Sequence, residues 1–234
     1  MTPIDRILVP LDTDDLAWAA ELAARLKGYV GGIKLGKQFF TANGPKGVNR
    51  IARVGHPIFM DLKFHDIPNT VASAIRSVHR LQPFMLNVHA SGGRAMMKAA
   101  VAANKETKEP RPLLVGVTML TSLSECDLKE IGVPSDAGQQ VVRLAQLAQD
   151  CGMDGVVCSP LEITLLRKAC GDDFKLVVPG IRPSWASSND QKRVATPAEA
   201  IARGADYLVI GRPITAADDP VNAAARIGEE LAAI

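Results

Sequence analysis

Two carboxylates and an amine fall in one short run, Phe59-Met60-Asp61-Leu62-Lys63-Phe64-His65-Asp66-Ile67-Pro68-Asn69-Thr70. The run begins as an apolar strand and turns into alternating charge. Side chains on a strand alternate faces, so Asp61 and Lys63 should point the same way. Asp66 follows beyond the expected strand end, and the run can therefore present an acid, an amine and a second acid together. A carboxylate and an ammonium on one face at a strand's end need a partner, a ligand or water. The plainer reading is a surface ion pair, which stabilises little. What separates the two readings is where the other charges of the chain fall.

The elements that must position these groups alternate. Residues 7–12 read as a buried strand ending in Asp12, and Asp14 or Asp15 can cap a helix to about residue 27. Residues 29–36 form a second strand with Lys34 near its end, then a helix to about residue 54. Strand three covers 57–62 with its helix over 67–81; strand four is 84–89, with Ser91 as cap for a helix over 92–105. Strand five is 113–118, residues 120–132 are an inserted short helix and turn, and a helix follows over 136–150. Strand six is 155–158 with a helix over 160–170, strand seven is 175–178, and residues 184–191 are an irregular loop. A helix over 197–203, strand eight at 207–210 and a helix from about 216 to 231 complete the chain.

Short, continuously apolar strands alternating with helices mark a parallel sheet covered on its outer face. Eight such units in 234 residues predict an α/β fold, a (β/α)8 TIM barrel forming a single domain over residues 1–234. In that fold the carboxyl ends of the strands meet at one mouth. Asp12, Lys34, Asp61, Lys63 and the pair Gly211-Arg212 all stand at strand ends and should therefore become neighbours. After strand eight, Gly211 lets the backbone approach an anion while Arg212 supplies charge, so a phosphate ester is the expected ligand.

Composition narrows the class. With 47% hydrophobic residues and a formal net charge of +2, the chain reads as an ordinary globular protein without the field that nucleic-acid binding requires. No apolar run reaches membrane-spanning length, and the amino terminus enters a strand without a signal-peptide core. Cys126, Cys151, Cys158 and Cys170 form no C-x-x-C pair and read as reduced, interior thiols, as expected of a cytosolic (cytoplasmic) protein. His56, His65, His79 and His89 are too scattered for a metal site, though His65 and His89 could act behind the directly contacting groups.

At this point the residues match a known family. Asp61-Leu62-Lys63-Phe64-His65-Asp66-Ile67, with Pro68-Asn69-Thr70, resembles the D-x-K-x-x-D-I motif of the orotidine 5′-monophosphate decarboxylases, the last enzymes of de novo pyrimidine synthesis. The resemblance extends to Asp12, Lys34, residues 118–122, residues 178–183 including Pro179 and Arg182, Gln191 and Ile210-Gly211-Arg212. It implies conversion of orotidine 5′-monophosphate to UMP and CO2 without metal or cofactor. Lys63 would protonate C6 of the pyrimidine, Asp61 would lie beside the departing carboxylate, and Lys34 and Asp12 would bind ribose hydroxyls. Thr121 and Ser122 would meet the pyrimidine, and Gln191, Gly211 and Arg212 the phosphate. Asp66, Ile67 and Thr70 would complete the neighbouring site of a homodimer. Residues 180–190 would form a lid, with Arg182 and Gln191 at or near its edges. A related group, the 3-keto-gulonate 6-phosphate decarboxylases, shares D-x-K-x-x-D but places a metal-holding glutamate where this chain has Lys34. A third reading is a nucleotide-binding protein without chemistry.

Overall fold

The computed structural model describes residues 1–107, 110–133, 136–186 and 195–234. Eight parallel strands close into a barrel in chain order: β1 (Ile7–Pro10), β2 (Gly32–Gly36), β3 (Ile58–Phe64), β4 (Met85–His89), β5 (Leu113–Val117), β6 (Gly155–Val157), β7 (Lys175–Pro179) and β8 (Tyr207–Val209). Around them lie α1 (Leu16–Arg25), α2 (Lys37–Ala52), α3 (Pro68–His79), α4 (Gly93–Lys105), α5 (Glu125–Glu130), α6 (Ala137–Asp150), α7 (Ile163–Cys170), α8 (Pro197–Ala202), α9 (Arg212–Thr215) and α10 (Pro220–Ala232). The expected (β/α)8 barrel is the fold observed.

The period-two alternation of each strand builds two cores. Leu8, Phe59, Met85, Val115, Val177, Tyr207 and Val209 point inward and pack against one another inside the barrel. Their neighbours Val9, Ile33, Leu35, Met60, Leu62, Leu86 and Val88 point outward and join the layer beneath the helices. The helices meet that layer through residues at three- and four-residue spacing, such as Val141, Leu144, Ala145 and Ala148 on α6. Each fully buried large apolar side chain contributes roughly 1.5–3 kcal/mol. One position shows how tight the barrel is: a Cβ on Gly155 would lie 2.1 Å from the Lys175 carbonyl oxygen, so β6 can approach β7 there only as glycine.

Helix starts follow the capping chemistry of the sequence. Asp15 accepts hydrogen bonds from the backbone N–H groups of Ala17 and Trp18, and Asp136 from that of Gln139. Ser124 forms a capping box with Asp127, making residues 120–132 the expected short helix and turn.

Several boundaries differ from expectation for local reasons. Residues 29–31 belong to the turn after α1, because Gly28 takes a φ of 85° and Tyr29 N–H bonds the Leu26 carbonyl; β2 begins at Gly32. Ser91 caps nothing: it lies in a 3-10 turn, Ala90–Gly92, and α4 starts at Gly93 without a side-chain cap. The last helix starts later than residue 216, because Asp219 caps it ahead of Pro220, while Arg212–Thr215 forms a separate turn of helix. Cys126 is exposed, whereas Cys151, Cys158 and Cys170 are interior as expected. Strand three runs on to Phe64 rather than stopping at Leu62, and this extension shapes the site.

Candidate active site

A cavity of about 520 Å³ opens at the carboxyl ends of the strands, within the usual range for a small-molecule site. Its lining includes Asp12, Lys34, Asp61, Lys63, Thr121, Pro179, Arg182, Gly211 and Arg212, so residues spread over the whole chain meet there. Phe59, Val117, Val157, Pro179 and Val209 form apolar wall and floor.

Asp61 is the hub. It is 7% exposed, and its Oδ2 lies 3.0 Å from Lys34 Nζ while its Oδ1 lies 2.5 Å from Lys63 Nζ. Lys34, 8% exposed, also reaches Asp12 Oδ1 at 3.3 Å. The order in space is therefore Asp12, Lys34, Asp61, Lys63, a chain of alternating sign. Burial alone opposes the charge on Lys34, but the Asp61 and Asp12 carboxylates outweigh it and hold its pKa above the ordinary lysine value. Burial likewise opposes ionisation of Asp61, yet Lys34 and Lys63, with hydrogen bonds from Lys63 and Asn87, bring its pKa below the ordinary carboxylate range. Both groups are thus charged at neutral pH despite their burial.

The backbone that presents Lys63 is not ordinary strand. Met60 pairs with Leu86 and Phe64 with Val88, so four residue steps on β3 are matched by two on β4. Within this bulge Lys63 has φ of 52°, a left-handed conformation that costs a side-chain-bearing residue roughly 1–2 kcal/mol. The two side chains do meet, as the period-two reading requires, but through a bulge. Asn87, fully buried on β4, accepts the Lys63 N–H at 2.8 Å through Oδ1 and donates from Nδ2 to Asp61 Oδ1 at 2.7 Å.

Not every expected residue lies in this cavity. Asp66, Ile67 and Thr70 are exposed at the start of α3 and outside its lining, with Ile67 67% exposed and Asp66 accepting a local bond from the Ile67 N–H at 2.6 Å. Ser122 is exposed and also absent from the lining. Gln191 lies outside the described residues, as does the carboxyl-terminal part of the expected lid, residues 187–190. Arg182 is buried and donates from Nη1 to the Ile181 carbonyl at 2.9 Å. His65 and His89 stack obliquely, 5.5 Å between centroids, outside the lining. Burial, His65 and the nearby lysines Lys37 and Lys63 push His89 down to about 4, leaving it neutral at pH 7.

Sequence reasoning overlooked Asn87 and the lining residues Trp18, Cys158 and Thr215. For Asn87 a signal existed: it is an amide within the otherwise apolar run of residues 84–88, at the same inward parity as Met85. Cys158 forms an uncharged wall, since burial pushes its thiol well above the usual range.

Comparison with known proteins finds relatives over nearly the whole chain. A family model described as Orotidine 5′-phosphate decarboxylase / HUMPS family matches residues 5–227. A protein named Orotidine 5′-phosphate decarboxylase from Paramagnetospirillum magneticum is 55% identical over 232 residues, covering 97% of this chain and 99% of its own. One of the same name from Syntrophotalea carbinolica is 53% identical over 232 residues, covering 97% of this chain and 95% of its own. Among solved structures, orotidine 5′-phosphate decarboxylase from Lactobacillus acidophilus superposes with a TM-score of 0.86 at 36% identity, over 96% of this chain and 98% of that one.

Proposed function

We propose that this chain, which belongs to the orotidine 5′-phosphate decarboxylase / HUMPS family, converts orotidine 5′-monophosphate to UMP and CO2 with its own side chains as the working groups. The observation that carries this reading is the alternating array in which Asp61 is held between two ammonium groups, at 3.0 and 2.5 Å, on the mouth of the barrel.

The bond from C6 to the carboxylate breaks, its electron pair stays on C6, and CO2 leaves. Lys63 Nζ then gives a proton to C6, the pyrimidine ring becomes that of UMP, and the amine recovers its proton from solvent. A fixed ammonium aimed at C6 meets charge that develops only as the bond breaks, so its contribution goes to the transition state rather than to binding. Asp61 holds Lys63 at hydrogen-bond distance and sets a negative charge beside the departing carboxylate. Lys34 and Asp12 receive the ribose hydroxyls, and Thr121 with Ser122 the pyrimidine edge. Pro179 closes one wall, while Gly211, Arg212, Arg182 and Gln191 hold the phosphate. That anion lies far from C6, and its binding energy serves to orient the ring.

Lys34 also separates this reading from a metal-dependent decarboxylation. Its ammonium lies between the carboxylates of Asp12 and Asp61, where it repels a divalent cation that those acids could otherwise share. The exposure of Asp66, Ile67 and Thr70 supports a homodimer in which they complete the neighbouring site, Ile67 being an apolar side chain left 67% exposed. The chain acts as one catalytic domain in the cytosol; no described helix is long and apolar enough to cross a membrane.

The test is to mix the purified protein with orotidine 5′-monophosphate in buffer containing EDTA and follow the orotate-ring absorbance. Loss of that band with formation of UMP is the expected result. An unchanged band from a folded protein that still binds UMP would leave a nucleotide-binding protein without chemistry, and activity abolished by EDTA would favour the metal-dependent reading.

A further inference from the structure

Asn87 stands where two parts of the proposed mechanism depend on one side chain. Its Oδ1 accepts the N–H that the bulge in β3 leaves over at Lys63, at 2.8 Å, and its Nδ2 donates to Asp61 Oδ1 at 2.7 Å. Since one end of the amide must accept and the other must donate, these two bonds allow only one orientation of the group. Asn87 is fully buried, so water cannot replace either bond without opening the barrel. A left-handed conformation at a residue with a side chain persists only where the surroundings over-determine it. Here the described partner of the Lys63 N–H is the Asn87 amide.

We infer that Asn87 is a positioning residue for the decarboxylation: it fixes the backbone from which Lys63 reaches C6 and sets the rotamer of the Asp61 carboxylate that holds the Lys63 ammonium. This rests on the function proposed above. Asn87 does not line the cavity, and it acts through the two groups that do. Its role therefore differs from a packing role, which loss of its volume alone would reveal. Among the described residues, the ionisable groups on the elements beside it are Asp61 and Lys63 on β3, Lys34 on β2 beyond Asp61, and His89 two residues on along β4, which packs on His65.

Two variants separate these roles. Asn87→Ala removes both bonds, whereas Asn87→Asp keeps the shape and the acceptor for Lys63 N–H but replaces the donor with a carboxylate against Asp61. Two carboxylates at hydrogen-bond distance disfavour joint ionisation, and the pair works best when it shares a proton. The expected result for Asn87→Ala is a fall in kcat of about 100-fold, as for misplacement by about 1 Å, with UMP affinity within about threefold of the parent. For Asn87→Asp, kcat relative to the parent should rise as pH is lowered from about 8 to about 5, because protonation restores a donor between the two acids.

A packing role would give no such pH-dependent ratio. Parent-like kcat in both variants, or a loss in Asn87→Asp whose ratio to the parent is constant across that range, overturns the inference. If Asn87→Ala does not fold, judged by its circular dichroism melt, the pH ratio of Asn87→Asp decides alone. A parent protein that leaves orotidine 5′-monophosphate untouched sinks the proposed function and this role together, while an active parent with indifferent variants sinks only the role of Asn87.

Discussion

Replacing Lys34 with methionine tests whether the charge array also holds the barrel mouth together. Methionine keeps most of the length of the side chain and removes its charge, so the four-membered array changes from balanced to one net negative charge. Asp61 then loses the cation 3.0 Å from Oδ2, while Lys63 and Asn87 still bond Oδ1. Breaking a buried pair by deleting one member costs about 3–5 kcal/mol, and the two surviving partners place this case at the lower end, about 3 kcal/mol. For a chain of this length each kcal/mol moves Tm by about 2–4 °C, so the midpoint should drop by roughly 6–12 °C near pH 7.

The pH dependence of that drop has a definite sign. In the parent the folded Asp61 pKa lies below the ordinary aspartate value of 3.8, so its stabilisation is present above that value and lost as pH falls through the folded pKa. Without Lys34 the folded pKa of Asp61 moves upward, and the carboxyl is protonated earlier as pH falls. The Tm gap between parent and variant should therefore narrow on going from about pH 7 to about pH 4. At the alkaline end the raised pKa of Lys34 means that its contribution is present below 10.5 and lost as pH rises through the folded value. Circular dichroism melts at these pH values read both quantities. An unchanged or higher Tm near pH 7, or a gap that does not narrow, would refute a stabilising array and assign Lys34 to chemistry alone.

Three further outcomes are expected. Lys63→Ala should fold and bind UMP while losing turnover by many orders of magnitude; near-parental turnover would remove Lys63 as the proton donor. Subunits carrying Lys63→Ala and Asp66→Ala, each inactive alone, should recover roughly a quarter of parental activity when mixed in equal amounts, since random pairing makes one intact site in half of the dimers. No recovery after verified subunit exchange would place Lys63 and Asp66 in the same subunit's site. Arg212→Ala should lower kcat/KM by roughly 10- to 100-fold through loss of a charge-assisted phosphate contact, and an unchanged value would move the phosphate elsewhere.

The repeating elements were legible because local chemistry writes them. Apolar strands, capping aspartates such as Asp15 and Asp136, and charges at strand ends are short-range features, and closure of the barrel then gathers Asp12, Lys34, Asp61, Lys63 and Arg212. What escaped depends on partners distant in sequence. The bulge at Lys63 is fastened by Asn87, which is 24 residues away, and no local propensity of the run 59–64 announces it. Ser91 looks like a helix cap by type, but the 3-10 turn places it inside a different element. The kink in α2 is the opposite case. Gly44 with φ of 56° and the following Pro45 interrupt it by rules visible in the sequence, yet the apolar spacing on either side reads as one helix.

The alternation of β2 and β3 has a consequence for how such a protein can change over time. Ile33, Leu35, Met60 and Leu62 face the helices, while Lys34, Asp61 and Lys63, interleaved with them, face the mouth. Adjacent letters of the same strand therefore answer to different selective demands. A lineage moving to a hotter or colder habitat can retune the helix-facing letters without disturbing those that line the mouth. A lineage acquiring a new substrate can rewrite the mouth while inheriting the shell intact.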